Sequence, residues 1–301
     1  MIYTVTLNPS LDYTMHPTSV VFGETNRSER ESICVGGKGI NVSIVLKTLH
    51  TESVALGFTA GFVGRAIADE LEVLGVRSDF IELCEGNSRI NVKLKGEHET
   101  EINGNGPEIS EADVERLCQR LDTLEDGDIL VLAGSIPKSL PRDTYEKILA
   151  RLSGKDIRFV VDACGEILLN TLKYKPFLIK PNRAELSEIC GRKLDSDDGI
   201  VAAAKELQGK GARNVLVSLG GDGSLLLDET GTVHRRYSIS GKVINTVGSG
   251  DSMVAGFICG CLNGSDYSHA LNLATACGTA TAFSELLADE KQIYELLEKI
   301  N

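Results

Sequence analysis

A chain of 301 residues, 42% of them hydrophobic, is long enough for one large α/β domain or two smaller ones and can bury a full core. Its formal net charge of -12 argues against nucleic acid and against an anionic membrane surface, and any phosphate it binds must meet cations gathered locally. No apolar run approaches the length of a membrane span, the first residues carry no basic leader, and the eight cysteines are scattered without a CxxC pair or metal spacing; this predicts a cytoplasmic protein with reduced thiols.

Residues 2–7 read as a strand, followed by Asn8-Pro9-Ser10-Leu11-Asp12, where Asp12 falls just past the strand's carboxyl end. After an irregular, charge-rich stretch comes Gly36-Gly37-Lys38-Gly39-Ile40-Asn41, a glycine turn feeding a helix with Val42, Val45, Leu46 and Leu49 on one face. Such a helix start aims unpaired N–H groups outward at the positive end of the helix dipole, and here a lysine stands inside it. It has the spacing of neither a Walker loop nor a dinucleotide fingerprint, which disfavours a dinucleotide oxidoreductase.

Residues 53–57 predict a short strand and 64–74 a helix. From Arg89, apolar Ile90, Val92 and Leu94 alternate with polar neighbours, turn at Gly96-Glu97-His98 and return over 99–103, a hairpin with one apolar face. With residues 13–35 it predicts a small sheet outside the main core, over about 13–35 and 88–104. That face needs a cover, either a bound substrate or a second copy.

Ser110-Glu-Ala-Asp113 is a capping box that opens a helix to about Leu121. Beyond it, the near-continuous apolar runs 128–133, 158–163, 177–180 and 214–219 alternate with helical segments, as in a parallel sheet covered on both faces. Ligands of such sheets bind beyond the strands' carboxyl ends. There the polar residues gather: Asn8 to Asp12, Gly134-Ser135, Asp162, Lys180-Pro-Asn182-Arg-Ala-Glu185 and Ser218-Leu-Gly220-Gly221-Asp222-Gly223.

Gly248-Ser249-Gly250 opens a second glycine-led helix, with Asp251 in its first turn and Met253, Val254, Phe257, Ile258 and Leu262 at helical spacing. A carboxylate beside an anion site is what phosphoryl transfer needs to orient or deprotonate an attacking hydroxyl. From Ser252 onward the chain reads as helical. Its small-residue stretch, 270–283, suits close approach to a flat partner, tight packing on the sheet ahead of a purine base.

These stretches resemble the ribokinase-like sugar kinases, in the phosphofructokinase B branch. Gly36 to Asn41 is similar to that family's N-terminal signature and residues 245–256 to its C-terminal one, in order and about two hundred residues apart. The resemblance extends to the hairpin, the Asn182/Glu185 pair and the 218–223 loop. It implies one ribokinase-like α/β domain over residues 1–301, with a mostly parallel sheet, helices on both faces and the small sheet as a lid. It implies ATP and Mg²⁺ as co-substrate and cofactor, a small-molecule sugar phosphate as acceptor, and a homodimer formed through the lids. The acceptor it favours is fructose 1-phosphate, with tagatose 6-phosphate and fructose 6-phosphate as alternatives.

Residue by residue, the resemblance makes Asp251 the base and the N–H groups of Gly248, Ser249 and Gly250 the anion hole. Asp12, Gly36, Gly37, Asn41 and Ser135 would meet the sugar, and Lys38 and Arg89, joined by Arg27, its phosphate. Lys180, Asn182, Ser218, Gly220, Gly221 and Gly223 would bind nucleotide, and Asn182 and Glu185 would place Mg²⁺ through water. Three positions depart from the family's common pattern: Asn245 for Asp, Ser249 for Ala, and Lys138-Ser139 for Pro-Gly. A non-catalytic nucleotide- or sugar-phosphate-binding regulator is the alternative from another class; it would require Asp251 or the anion hole to be lost, and both are present.

Overall fold

In a computed structural model, residues 1–96, 99–264 and 266–300 are described. The chain runs β1 (Ile2–Thr6), β2 (Ser10–Pro17), β3 (Ser28–Gly36), α1 (Lys38–Thr48), β4 (Val54–Ala60), α2 (Gly61–Val73), β5 (Arg77–Ser78), β6 (Ile81–Leu83), β7 (Arg89–Lys95) and β8 (Glu99–Asn103). It continues through α3 (Glu111–Leu121), β9 (Ile129–Ala133), α4 (Thr144–Leu152), β10 (Arg158–Asp162), α5 (Gly165–Thr171), β11 (Leu178–Ile179), α6 (Arg183–Cys190), α7 (Asp197–Gly209) and β12 (Asn214–Ser218). It closes with β13 (Ser224–Leu227), β14 (Val233–Arg236), α8 (Ser249–Leu262), α9 (Tyr267–Ala282) and α10 (Glu290–Ile300).

The main sheet has the order β14-β13-β12-β11-β10-β9-β1-β4-β5, with β6 also paired to β4. Its pairs are parallel from β12 to β5, and β13 and β14 are antiparallel additions at one edge. Successive residues of each strand face opposite layers. On one side Leu130, Leu132, Phe159, Val161, Val215 and Val217 pack with helices α3 to α7. On the other, Ile129, Val131, Val160, Leu178 and Leu216 pack with α1, α8, α9 and α10. Strands sandwiched in this way can be apolar throughout, which is why they were readable as uninterrupted runs.

The second sheet has four strands in the order β3-β2-β7-β8, and β2 pairs with β7 in parallel. Leu11, Tyr13 and Met15 lie in register with Ile90, Val92 and Leu94, so one face is apolar; its Ile33, Ile90 and Ile102 are exposed. The alternate positions form a polar face carrying Ser10, Asp12, Arg89, Asn91 and Lys93. Arg30 of β3 also pairs with Glu285, just after α9, at 3.1 Å.

Several boundaries differ from the expectation. Asp12 lies within β2 because the small sheet begins at Ser10, ahead of the expected start at 13. The strand expected at 53–57 runs to Ala60, and α2 starts at Gly61. The capping box at Ser110 and Asp113 is present, with each partner bonded to the other. The expected turn at 96–98 includes Glu97 and His98, which lie outside the described residues, as do Ser265 and Asn301 within the expected helical tail. That tail is broken at 283–289. The small residues of α9 pack on the sheet as expected, with Thr275 bonded to Ser224 of β13 at 2.6 Å, and also against α8: a Cβ at Gly256 of α8 would come within 2.8 Å of Cys277, and one at Gly260 within 2.6 Å of Ala270. No helix among the described residues is long and apolar enough to cross a membrane.

Candidate active site

Two glycine-led helix starts, those of α1 and α8, meet. Gly37, at φ 132°, caps α1, and Gly248, at φ 80°, caps α8; both angles lie in the region that favours glycine, and neither helix has a side-chain cap. Thr6 Oγ1 accepts from the Ile40 N–H at 3.1 Å and the Thr246 carbonyl from the Ser249 N–H at 3.3 Å, while the N–H groups of Lys38, Gly39, Gly250 and Asp251 have no partner among the described residues and are open to an anion. Asn41 in the first turn of α1 donates Nδ2 to Oδ2 of Asp251 in the first turn of α8, at 2.8 Å. The two helices are thus joined through the candidate base. Asp251 is buried, and that burial, with the negative charge of Asp162 behind it, lifts its carboxyl to about 6, although Lys38, Asn41 and Lys180 pull the other way.

Asp162, the last residue of β10 and only 2% exposed, holds two lysines. Nζ of Lys38 lies 3.1 Å from Oδ2, and Nζ of Lys180 lies 3.5 Å from Oδ1. Burial pushes the Asp162 carboxyl up, but the two ammonium groups outweigh it and hold it below the usual range. Lys38 is displaced upward: its burial favours the neutral amine, and Asp162 and Asp251 more than offset that. A Cβ at Gly250 would stand 2.8 Å from Nζ of Lys180, so that ammonium lies against the anion turn. Gly134, at the end of β9, sits by the Lys38 stem and precedes the exposed Ser135.

The polar face of the small sheet supplies the next side. Arg89 is half-buried and donates Nε to the carbonyl of Asn8 at 3.0 Å, which orients the guanidinium; it has no acidic partner among the described residues. Its two terminal nitrogens form a fork suited to phosphate. Asp12 receives Nζ of Lys93 at 2.8 Å, Oγ of Ser10 at 2.7 Å and Nδ2 of Asn91 at 2.8 Å. These donors outweigh burial and keep its carboxyl below the usual range. Gly36 lies against this cluster, since a Cβ there would be 2.8 Å from Oδ1 of Asp12.

On the far side, Asn182 pairs with Ser218 in a single parallel bridge at the ends of β11 and β12. Asn182 and Glu185 form the capping box of α6: Oδ1 of Asn182 accepts from the Glu185 N–H at 2.9 Å, and Oε2 of Glu185 accepts from the Asn182 N–H at 2.8 Å. Their spacing thus has a structural role first. The other oxygen, Oε1, takes a bond from the Cys164 thiol at 3.1 Å. That thiol is pushed up to about 11 by burial and by the Glu185 charge. Beyond β12, Gly220 and Gly223 flank a tight turn at φ 58° and 95°, and Asp222 within it pairs with Arg183 at 2.6 Å. Asn245 locks the approach to α8, accepting from the Val247 N–H at 3.1 Å and donating to the Glu285 carbonyl at 2.9 Å.

The structure therefore brings together Asp251, Asn41, Lys38, Lys180 and both glycine turns, with Asp12, Gly36 and Arg89 along the small sheet. Arg27 is not with them. It is exposed beyond the Pro17/Ser28 end of the sheet, whereas Ser10 pairs with Gly36 at the other end. The 8 residues of β2 separate the two ends, roughly 25 Å. Ser139 spends its hydroxyl on the Ile109 N–H at 3.3 Å. The sequence places Asp162 only as one polar residue on the rim at the strands' carboxyl ends, and singles out neither Asn91 nor Lys93. The signals were there: an acidic residue ending an apolar strand, and polar residues at alternate positions from Arg89.

The family model for "pfkB family carbohydrate kinase" matches residues 5–291. A 1-phosphofructokinase of Bacillus subtilis is 46% identical, with all of this chain and 98% of that protein aligned. A D-tagatose-1-phosphate kinase of Bacillus licheniformis is 37% identical, over 100% of this chain and 98% of its own. Among solved structures, phosphofructokinase-2 of Escherichia coli in complex with substrates and products superposes with a TM-score of 0.94 at 26% identity, covering 99% of each chain.

Proposed function

The chain belongs to the pfkB family of carbohydrate kinases, with the ribokinase-like fold and the activity of an ATP-dependent sugar-phosphate kinase, and from that premise we propose that it converts fructose 1-phosphate and ATP to fructose 1,6-bisphosphate and ADP. The observation that carries the chemistry is Asp251: a buried carboxylate raised to about 6, in the first turn of a helix opened by an anion-binding glycine turn. Fructose 1-phosphate is chosen over other ketose phosphates because of the B. subtilis relative.

In this reading the sugar's 6-hydroxyl gives its proton to Oδ1 of Asp251, since Oδ2 is held by Asn41. The oxygen forms its bond to the terminal phosphorus of ATP as the bond to the bridging oxygen breaks. The amides of Gly248 and Gly250 meet the developing charge, joined by that of Ser249 as it shares its 3.3 Å bond to the Thr246 carbonyl, with the Lys180 ammonium beside them. A carboxyl near 6 is ionised at neutral pH yet basic enough to take that proton. Arg89 and Lys38 hold the phosphate already on the sugar, and Asp12 holds a ring hydroxyl. Ser218 and the Gly220 to Gly223 turn line the nucleotide.

Mg²⁺ fits at Glu185: among the described residues Oε1 has only a weak thiol donor, and hard cations are commonly held by one or two carboxylates and retained water. When bound, Mg²⁺ neutralises charge on the ATP phosphates. Asn182 serves by fixing the Glu185 backbone and side chain. We read all 301 residues as one unit in which the small sheet is a lid that keeps water from the phosphoryl group. Its exposed apolar face, with Ile33 and Ile102, pairs with that of a second copy to give a homodimer. We place the enzyme in the cytoplasm, where its eight cysteines stay thiols.

The test is kcat/KM by ADP release, with Mg²⁺ and saturating ATP, for fructose 1-phosphate, fructose 6-phosphate and tagatose 6-phosphate. Fructose 1-phosphate should lead. A lead for either alternative would keep the kinase chemistry and overturn the choice of sugar.

A further inference from the structure

The ion pair between Asp12 and Lys93 is buried on both sides, each residue 8% exposed, and lies on the polar face of the small sheet. Stability does not account for it. Replacing a buried ion pair with apolar groups of similar volume is often neutral or stabilising. The same strand already alternates an apolar residue with each polar one, so an apolar pair would be easy to accommodate. Asn91, at 6% exposed, adds a second unusual feature: both its donor bonds go to this cluster, at 3.1 Å to Ser10 and 2.8 Å to Asp12, while Oδ1 is buried with no hydrogen-bond partner among the described residues.

Counting lone pairs shows what the cluster leaves open. Oδ1 of Asp12 accepts from Ser10 and Asn91 and is filled. Oδ2 accepts from Lys93 alone among the described residues and keeps one acceptor position. The ammonium has three donors and spends one on Asp12. Asp12 can therefore take a single hydroxyl, and that hydroxyl arrives beside an ammonium with donors to spare.

We infer that Lys93 is a specificity-determining residue for the sugar, and that one ring hydroxyl donates to Oδ2 of Asp12 while accepting from Nζ of Lys93. A lone carboxylate fixes only the hydroxyl's hydrogen. The pair fixes hydrogen and lone pair together, and so selects the configuration at that carbon. An epimer or deoxy analogue leaves buried polar groups unpaired, the strongest form of discrimination a binding site has. This rests on the reading of Asp12 as a sugar ligand in a sugar-phosphate kinase.

The experiment compares wild type, K93M, K93Q, D12N and K93M/D12N, with KM for fructose 1-phosphate, KM for ATP and kcat measured separately, and tagatose 1-phosphate as the C4 epimer. K93M should raise the sugar KM by about ten- to a hundredfold, the range of a hydrogen bond to a charged group. The ATP KM should stay within about twofold, a split that a merely structural lysine would not produce. K93M/D12N should bind sugar no worse than D12N, because both side chains grip one hydroxyl, and K93M should narrow the preference between the two epimers. K93Q keeps a donor for Asp12, so it answers the question if K93M fails to fold. A folded, active K93M or K93Q with unchanged sugar KM and unchanged epimer preference overturns the role of Lys93 and leaves the kinase reading intact. A wild-type enzyme that phosphorylates no sugar phosphate overturns both.

Discussion

Replacing Asp251 with asparagine should abolish turnover and at the same time stabilise the protein. In the folded chain the carboxyl titrates at about 6, against an ordinary 3.8, because it is buried and faces the charge of Asp162. Above pH 6 both folded and unfolded chains carry the carboxylate, and the folded state bears the cost of ionising it in an unfavourable place. That displacement is worth about 3 kcal/mol. Below about pH 4 the group is protonated in both states, and the cost vanishes. The asparagine of the variant keeps an oxygen for the Asn41 amide and carries no charge. For a chain of this size, about 3 kcal/mol moves Tm by about 5 °C. Differential scanning calorimetry should therefore find D251N melting higher than wild type at about pH 7.5, with the gap closing towards about pH 4, while kcat drops by at least about a hundredfold. If D251N melts lower at neutral pH, the lysines stabilise the ionised carboxylate more than burial penalises it, and the account of a strained base is wrong.

The same electrostatics predicts the pH profile. Wild-type kcat/KM should fall about tenfold per pH unit below about 6, as the base is protonated. D162N removes a negative charge that raises Asp251, so its acid limb should move to lower pH, and an unmoved limb would show that Asp162 does not reach the base. R89A should raise the sugar-phosphate KM at least about tenfold with the ATP KM unchanged, and R89K should restore it only in part because lysine lacks the fork. E185Q should raise the Mg²⁺ concentration needed for half-maximal rate; equal Mg²⁺ curves would remove Glu185 from that role. I33D on the exposed apolar face should convert a dimer to a monomer in sedimentation velocity, and an unchanged sedimentation coefficient would contradict pairing through the small sheets.

What could be read from the chain, and what could not, divides by the range of the interactions. Gly36 to Lys38 and Gly248 to Asp251 were legible because a helix start is a local event: glycine, an unpaired N–H and the first apolar turn lie within a few residues. The strands were legible because both their faces are buried. Lys93 was not, because its partner Asp12 lies across a parallel pairing and far earlier in the chain, and only that register brings the two together. Asp162 gains its role from Lys38 and Lys180, which arrive from other strands' ends. Asn182 and Glu185 carried two meanings at one spacing, a cap and a metal pair, and the structure adds the cap without removing the other. In α9 the small residues mark a close-approach surface, and the sheet was the legible partner; that α8, with Gly256 and Gly260 of its own, packs there too follows only from the fold.

The most direct measurement is ³¹P NMR of a reaction holding fructose 1-phosphate, ATP and Mg²⁺ with wild type or D251A. Wild type should give fructose 1,6-bisphosphate and ADP in equal amounts, and D251A neither above background. Bisphosphate formed at comparable rates by D251A would contradict the assignment of Asp251 as the base, and ADP formed without bisphosphate would contradict the sugar as the acceptor.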